Sequence, residues 1–457
     1  MNLKEALNKE VFHLISETAD ELQLECYVVG GFVRDLLLHR PSSDIDVVVV
    51  GSGITMAQLY AEKLGPKAHL SVFRSFGTAQ VKLDKLEVEF VGARKESYSH
   101  DSRKPIVEDG SLSDDQQRRD FTINALAICL NGKRFGELVD PFDGLTDLNH
   151  KIIRTPLDPD VTFSDDPLRM MRCLRFKSQL DFTVHPETEE ALKRNSSRIQ
   201  IISNERIVEE LNKILLSPRP SIGLMGLHEC GLLSYVFPND QTGEGDTMWK
   251  DQFYHTCRVV DALAPYTRNL WLMWTALLHQ ACFVSEETDK CHRAVTNPLL
   301  TSLFRRMKLP MNYKMDYVQK LTGMYKRVFK LVQNPHDLSA ARRFLFEVGE
   351  NLDDLMLLCK AILSADELTE NSVSTKDLTQ LHVYLVALDK KEHLSDMEYP
   401  LSGKEIMEYL QLPGSTLIGK LKEKVLEAVF TGEIRNDRSE SLDYLTKISK
   451  KLLSHDK

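Results

Sequence analysis

The spacing of hydrophobic positions changes twice near the start of the chain. Leu3, Leu7, Val11, Leu14, Ile15, Ala19 and Leu22 recur at helical intervals, which predicts an amphipathic helix across 3–24. Tyr27-Val28-Val29 then reads as a β-prone run stopped by Gly30-Gly31, a pair that permits a tight turn and close approach of a ligand to the backbone. A short amphipathic helix, a polar loop and a second strand follow, the strand being Asp44-Ile45-Asp46-Val47-Val48-Val49-Val50. Strand alternation puts Asp44 and Asp46 on one face. Residues 56–64 predict another helix. Ser75–Leu83 and Leu86–Val91 predict a hairpin around Asp84-Lys85, with Glu87 and Glu89 sharing a face. Residues 94–117 are polar and aperiodic and predict a mobile loop.

Arg118-Arg119-Asp120 leads into the apolar run 121–127, in which Asn124 is the lone amide. Residues 140–148 form a turn-rich connector. In Asp165-Asp166-Pro167-Leu168-Arg169-Met170-Met171-Arg172-Cys173-Leu174-Arg175-Phe176, an acidic cap with proline just inside predicts a helix start. Arg169, Arg172 and Arg175 recur every three residues, with no acid between Arg169 and Lys177. Such a ridge calls for an anionic partner: a triphosphate, an RNA backbone, or acids elsewhere in the fold. A capped amphipathic helix over 203–216 has a packing role, and 225–395 reads as helix after helix.

At 457 residues the chain exceeds a single core, and its 42% hydrophobic and 27% charged content is that of a soluble globular protein. A net charge of −9 argues against wholesale coating of nucleic acid and leaves room for local basic tracks. Those tracks are Arg305-Arg306 with Lys308, Lys326-Arg327 with Lys330, and Lys420, Lys422 and Lys424. The 8 cysteines form no Cys-x-x-Cys pair and read as reduced, buried thiols. With no signal-peptide core and no apolar run of membrane-spanning length, a cytoplasmic protein without a membrane partner is expected.

Two carboxylates close together repel unless a cation lies between them, and oxygen ligands two residues apart suit Mg²⁺ carrying a nucleoside triphosphate. The alternative for Asp44 and Asp46 is a surface strand end or an Asx turn. Amides after Gly30-Gly31 suit a phosphate, with Arg34 as a clamp one turn in. Asp166 and Arg169 offer an acceptor and a forked donor. Cytosine and adenine each set an amino donor beside a ring-nitrogen acceptor, so one Asp–Arg pair satisfies both. Uracil and guanine point a carbonyl at the carboxylate instead, and a failed bidentate contact costs roughly 1–3 kcal/mol.

Gly30-Gly31-x-Val33-Arg34-Asp35, followed ten residues after the arginine by Asp-x-Asp, resembles the head of the polymerase-β nucleotidyltransferase superfamily. Within it the chain resembles the class II tRNA nucleotidyltransferases (CCA-adding enzymes) and the bacterial poly(A) polymerases. The resemblance implies an α+β fold: a nucleotidyltransferase head of mixed sheet and helices at 1–150, a helical neck at 151–235, a helical domain at 236–395 and a helical tail at 396–457. It implies Asp44 and Asp46 as catalytic, metal-holding acids, with Glu89 as a third carboxylate acting as general base or metal ligand. Gly30, Gly31, Arg34, Arg118, Arg119, Asp120 and Asn124 are implied to seat triphosphate and sugar, with Arg172 and Arg175 helping. Residues 165–169 resemble the Glu/Asp-Asp-x-x-Arg motif that selects CTP and ATP, with Asp166 and Arg169 reading the base and Asp165 standing where glutamate is usual.

The implied activity is template-independent CCA addition to tRNA 3′ ends with Mg²⁺. The alternatives are a poly(A) polymerase, a CC- or A-adding enzyme, or an inactive RNA-binding module. Gly77-Thr78-Ala79-Gln80-Val81 replaces the arginine-rich stretch associated with poly(A) polymerases. His255 and His279-Gln280 resemble the HD phosphohydrolase signature, with Gln280 in place of the acid, so a degenerate domain is expected, its histidines in core or surface roles.

Overall fold

A computed structural model describes residues 1–84, 86–99, 102–237, 246–280, 297–366 and 373–453. Lys85 of the predicted turn, and Cys282 and Cys291, lie outside the described residues. The chain divides into two compact units, Met1–Gly245 and Asp246–Lys457.

The first unit opens with helix α1 (Glu10–Leu22), which buries Phe12, Ile15 and Ala19 and ends at Gln23 in the left-handed conformation. Strand β1 (Glu25–Val29), helix α2 (Gly31–Leu37), strand β2 (Asp44–Val50) and helix α3 (Gly53–Leu64) follow. Strands β3 (His69–Phe73), β4 (Thr78–Leu83) and β5 (Leu86–Gly92) complete the expected hairpin region. Residues 94–117 are more ordered than their sequence suggested. They form strands β6 (Arg94–Ser99) and β7 (Ser102–Asp109) and helix α4 (Leu112–Gln117). Arg94 faces Asp109 and Lys95 faces Glu108, so opposite charges stand across the open end of a hairpin that has no apolar alternation to announce it. Ser111 and Asp114 close a capping box on α4.

Strands β8 (Ala127–Cys129) and β9 (Leu138–Val139) finish a seven-stranded sheet of order β3-β4-β5-β2-β1-β8-β9, in which only β2 and β5 run parallel. Beyond it come α5 (Gly144–His150), β10 (Ile152–Ile153), α6 (Pro159–Asp165), α7 (Leu168–Leu180), β11 (Thr183–Val184), α8 (Pro186–Asn195), α9 (Asn204–Leu215), α10 (Pro220–Glu229) and α11 (Leu233–Val236). Two glycines seat α10 tightly. A Cβ at Gly226 would lie 2.7 Å from Leu174 Cδ2 of α7, and one at Gly223 would lie 2.7 Å from Ile214 Cγ2 of α9.

The described part of the second unit is helical: α12 (Asp246–Leu263), α13 (Leu270–Leu278), α14 (Pro298–Arg306), α15 (Tyr313–Gln333), α16 (Leu338–Val348), α17 (Leu352–Ala365) and α18 (Thr375–Glu392). Its last helices, α19 (Gly403–Leu410), α20 (Thr416–Thr431) and α21 (Arg438–Leu453), share a core around Ile406, Leu421, Val425 and Leu445. Among the described residues no helix is long and apolar enough to cross a membrane.

The start of α3 is wedged against the end of β5, where a Cβ on Gly53 would meet Gly92 N at 2.8 Å and Val91 C at 2.9 Å. Backbone cannot yield as a side chain does, so Gly53→Ala is expected to destabilise the first unit by about 1–3 kcal/mol in denaturant titration.

Candidate active site

The acids project from the middle of the sheet. Parallel register sets Asp44 opposite Glu87 and Asp46 opposite Glu89, while Val29 of β1 pairs with Asp46 on the other side. Paired residues share a face, so the four carboxylates lie on one surface. Gly30, one residue past Val29, has a φ of +73°. A Cβ there would lie 3.7 Å from Asp46 Oδ2 and 3.0 Å from Arg119 Nη1, so glycine keeps the space before the acid open.

Burial raises the Asp46 carboxyl above its ordinary value; Arg119 opposes the rise and Asp44 adds to it. Glu89 is also raised, by burial first and then by Asp46, Glu87 and Asp44. Burial does most of this, and the repulsion that the acids add is of the kind a cation beside them relieves. Among the described residues no group of three or more His, Cys, Asp or Glu side chains is placed to hold an ion. Mg²⁺ seldom uses an all-protein cage: it keeps waters and takes one or two carboxylates together with substrate phosphates. Asp44 and Asp46 as hard oxygen donors fit that mode.

From the glycine turn a chain of side chains runs to α7. Buried Arg34 donates from Nε and Nη2 to Asp35 at 2.9 Å each, and from Nη1 to Asn124 Oδ1 at 2.7 Å. Asn124 Nδ2 donates to Asp120 Oδ1 at 2.9 Å, and Arg172 Nε donates to Asp120 Oδ2 at 2.7 Å. Burial alone would raise the Asp120 carboxyl, yet Arg172, Asn124 and Arg169 outweigh it and bring it down to about 2. The guanidinium carbons of Arg175, Arg34 and Arg172 lie 4.3, 5.0 and 5.6 Å from the centre of the Phe176 ring.

Helix α7 begins at Leu168, later than the sequence suggested; Asp165 closes α6. Asp166 still acts as a cap, since its Oδ1 accepts from Leu168 N at 3.1 Å, while its Oδ2 lies 3.4 Å from Arg206 Nη2 of α9. Arg169 is buried and donates to the carbonyls of Thr162 and Arg118. The arginine ridge finds acids inside the fold. Arg172 meets Asp120, and Arg175 Nε stands 2.7 Å from Glu210 Oε2 as an ion pair without hydrogen-bond alignment. Those acids come from distant segments, so a scan of 169–177 cannot see them. Arg118 and Arg119 likewise both fork onto buried Asp115 of α4. Burial pushes Asp115 up, but Arg119 and Arg118 together hold it below its usual value.

Asp115, Arg206 and Glu210 are contributors that sequence reading missed. Only Asp115 left a local signal, lying three and four residues before Arg118 and Arg119 behind a capping-box serine.

In the second unit His255 Nε2 lies 2.6 Å from Asp366 Oδ1, and its Nδ1 lies 2.9 Å from Gln280 Nε2. His279 is buried, with Nδ1 2.6 Å from the Ala276 carbonyl oxygen; burial pulls it down to about 4, so it is neutral at physiological pH. The amide of Gln280 thus fills the acid's place in a bonded core cluster.

Comparison with known proteins matches residues 26–154 to the family described as Poly A polymerase head domain, and 181–240 to the probable RNA and SrmB-binding site of polymerase A. The chain is 30% identical over 433 residues to a CCA-adding enzyme of Geobacillus sp. (strain WCH70), covering 94% of this chain and 95% of that one. It is 42% identical over 198 residues to an A-adding tRNA nucleotidyltransferase of Aquifex aeolicus, covering 43% of this chain but only 24% of that longer relative. The crystal structure of the Bacillus stearothermophilus CCA-adding enzyme in complex with CTP superposes with a TM-score of 0.69 at 25% identity, covering 98% of this chain and all of that one.

Asp120→Asn is expected to lower stability at neutral pH by on the order of 2 kcal/mol. The native carboxyl titrates below its unfolded value, so the deficit against the parent holds above about pH 4 and closes as pH falls towards 2. Urea denaturation across that range reads it directly.

Proposed function

The chain belongs to the CCA-adding enzyme family of tRNA nucleotidyltransferases, and from this we propose that it adds C, C and A to tRNA 3′ ends. CTP and ATP are its substrates, pyrophosphate leaves, and no nucleic-acid template is used. One observation supports this reading above others: the buried chain from Arg34 through Asn124 and Asp120 to Arg172, which ties the glycine turn beside the acids to the helix behind Asp166 and Arg169.

On this reading Asp44 and Asp46 hold Mg²⁺, which when bound neutralises triphosphate charge and lowers the pKa of the attacking hydroxyl. Glu89, with its raised carboxyl, acts as general base towards the primer's 3′-hydroxyl or helps to hold the ion. Gly30 and Gly31 let the triphosphate approach the backbone. Arg34, Arg118, Arg119, Arg172 and Arg175 supply the positive lining, with Asp115, Asp120 and Glu210 fixing four of them and Asp35 the fifth. Asn124 and Asp120 face the sugar. Asp166, oriented by Leu168 N and Arg206, and Arg169, oriented by two carbonyls, read the base edge. Such tRNA maturation belongs in the cytoplasm.

A narrower reading, addition of the terminal A alone, draws on the Aquifex A-adding relative, which is 42% identical over 198 residues. Incubation with tRNA ending at the discriminator base, at C or at CC, with each labelled nucleotide in turn, separates the two. CTP incorporation on the first two substrates supports full CCA addition. Incorporation of ATP only, and only after CC, favours the narrower one.

Asp44→Asn with Asp46→Asn is expected to abolish incorporation of both nucleotides in that assay. Asp166→Ala or Arg169→Ala is expected to reduce preference for CTP and ATP over UTP and GTP by about 5- to 150-fold in kcat/KM. Parental discrimination in either variant would remove the base-reading role.

A further inference from the structure

The sheet face bearing Asp44, Asp46 and Glu89 bears a fourth carboxylate, Glu87, opposite Asp44 in the parallel ladder. Neighbouring strands lie about 4.8 Å apart and successive same-face residues about 7 Å apart, so the four acids share one small patch. Their spacing in sequence gives Glu87 and Glu89 equal standing. Their neighbours do not. Strand β4 sets Lys82 directly opposite Glu87 and Gln80 directly opposite Glu89. Lys82 Nζ lies 2.9 Å from Glu87 Oε2. The Gln80 amide bypasses its own ladder partner and donates across the diagonal to Glu87 Oε1. Both oxygens of Glu87 are therefore engaged on the side away from β2, while Glu89 pairs with Asp46 in the ladder.

We propose that Gln80 and Lys82 are positioning residues that withhold Glu87 from ion binding, so that Glu87 adds no carboxylate to the ion-holding pair Asp44 and Asp46. This rests on the reading of Asp44 and Asp46 as the ion-holding pair. The consequence is electrostatic. An ion that arrives with a triphosphate has to depart with pyrophosphate, so the protein must not hold it tightly by itself. One more carboxylate within a few ångströms would retain the ion before any nucleotide enters, and would do so through a charge that no transferred phosphate balances.

The probe is Mn²⁺, titrated into the full chain without nucleotide and followed by electron paramagnetic resonance at low ionic strength. The Gln80→Leu, Lys82→Met double variant is expected to bind Mn²⁺ at least about fivefold tighter than the parent, and adding Glu87→Gln to return it to the parental affinity. Lys82→Met alone, on a half-exposed side chain, is expected to show a smaller gain of the same sign. An unchanged affinity, or a gain that survives Glu87→Gln, overturns the proposal. Asp46→Asn tests the underlying reading separately. If parental Mn²⁺ binding persists undiminished there, the ion site itself is lost, whatever Gln80 and Lys82 do.

Discussion

A buried carboxylate between an amide and a guanidinium holds the first unit's working parts in relation to one another. Asp120 accepts from Asn124 on one oxygen and from Arg172 on the other. Burying a charge this fully costs several kcal/mol unless it is paired and hydrogen-bonded, and both conditions are met. The same three groups link the glycine turn to α7. Asn124 sets Arg34 beside the glycine turn, and Arg172 sets the face of α7. Removing Asp120 leaves Arg172 without its acid, and removing Arg172 leaves a buried carboxylate without its guanidinium, so the network specifies geometry as much as it adds stability.

The Phe176 ring answers a second problem, the gathering of three guanidinium groups in one small volume. Each has its own acid: Asp35 for Arg34, Asp120 for Arg172, Glu210 for Arg175. The ring gives all three a face to lie on, and its own edge contact with Phe121 anchors it to the segment that carries Asp120. Positive charge is thereby gathered in one place without mutual repulsion scattering it.

Much of this could be read from residue order, and the failures share one cause. The glycine turn, the acids of β2 and the hairpin of β4 and β5 announce themselves through period-two alternation and punctuation, which are local signals. The hairpin of β6 and β7 hid because none of its pairs sets one apolar residue against another: two are charge against charge and the rest include a polar partner. The arginine ridge looked uncompensated because Asp120 and Glu210 lie 52 residues before Arg172 and 35 after Arg175, distances over which no spacing rule operates. Asp366 joined His255 across the still longer gap of 111 residues. Local chemistry was legible; partnerships closed by tertiary folding were not.

The seating of α7 limits what can move. Arg206 holds the residue just ahead of it, Glu210 holds its third arginine, and Gly223 and Gly226 press α10 into the same two helices with no slack for a methyl group. Helices α7, α9 and α10 must then travel as one rigid block, since sliding any of them means breaking an ion pair or opening a void. Across the seam to the sheet the block is tied by Arg172 on Asp120 and by the Phe176 ring, which travels with α7 and offers its face to Arg34 of α2.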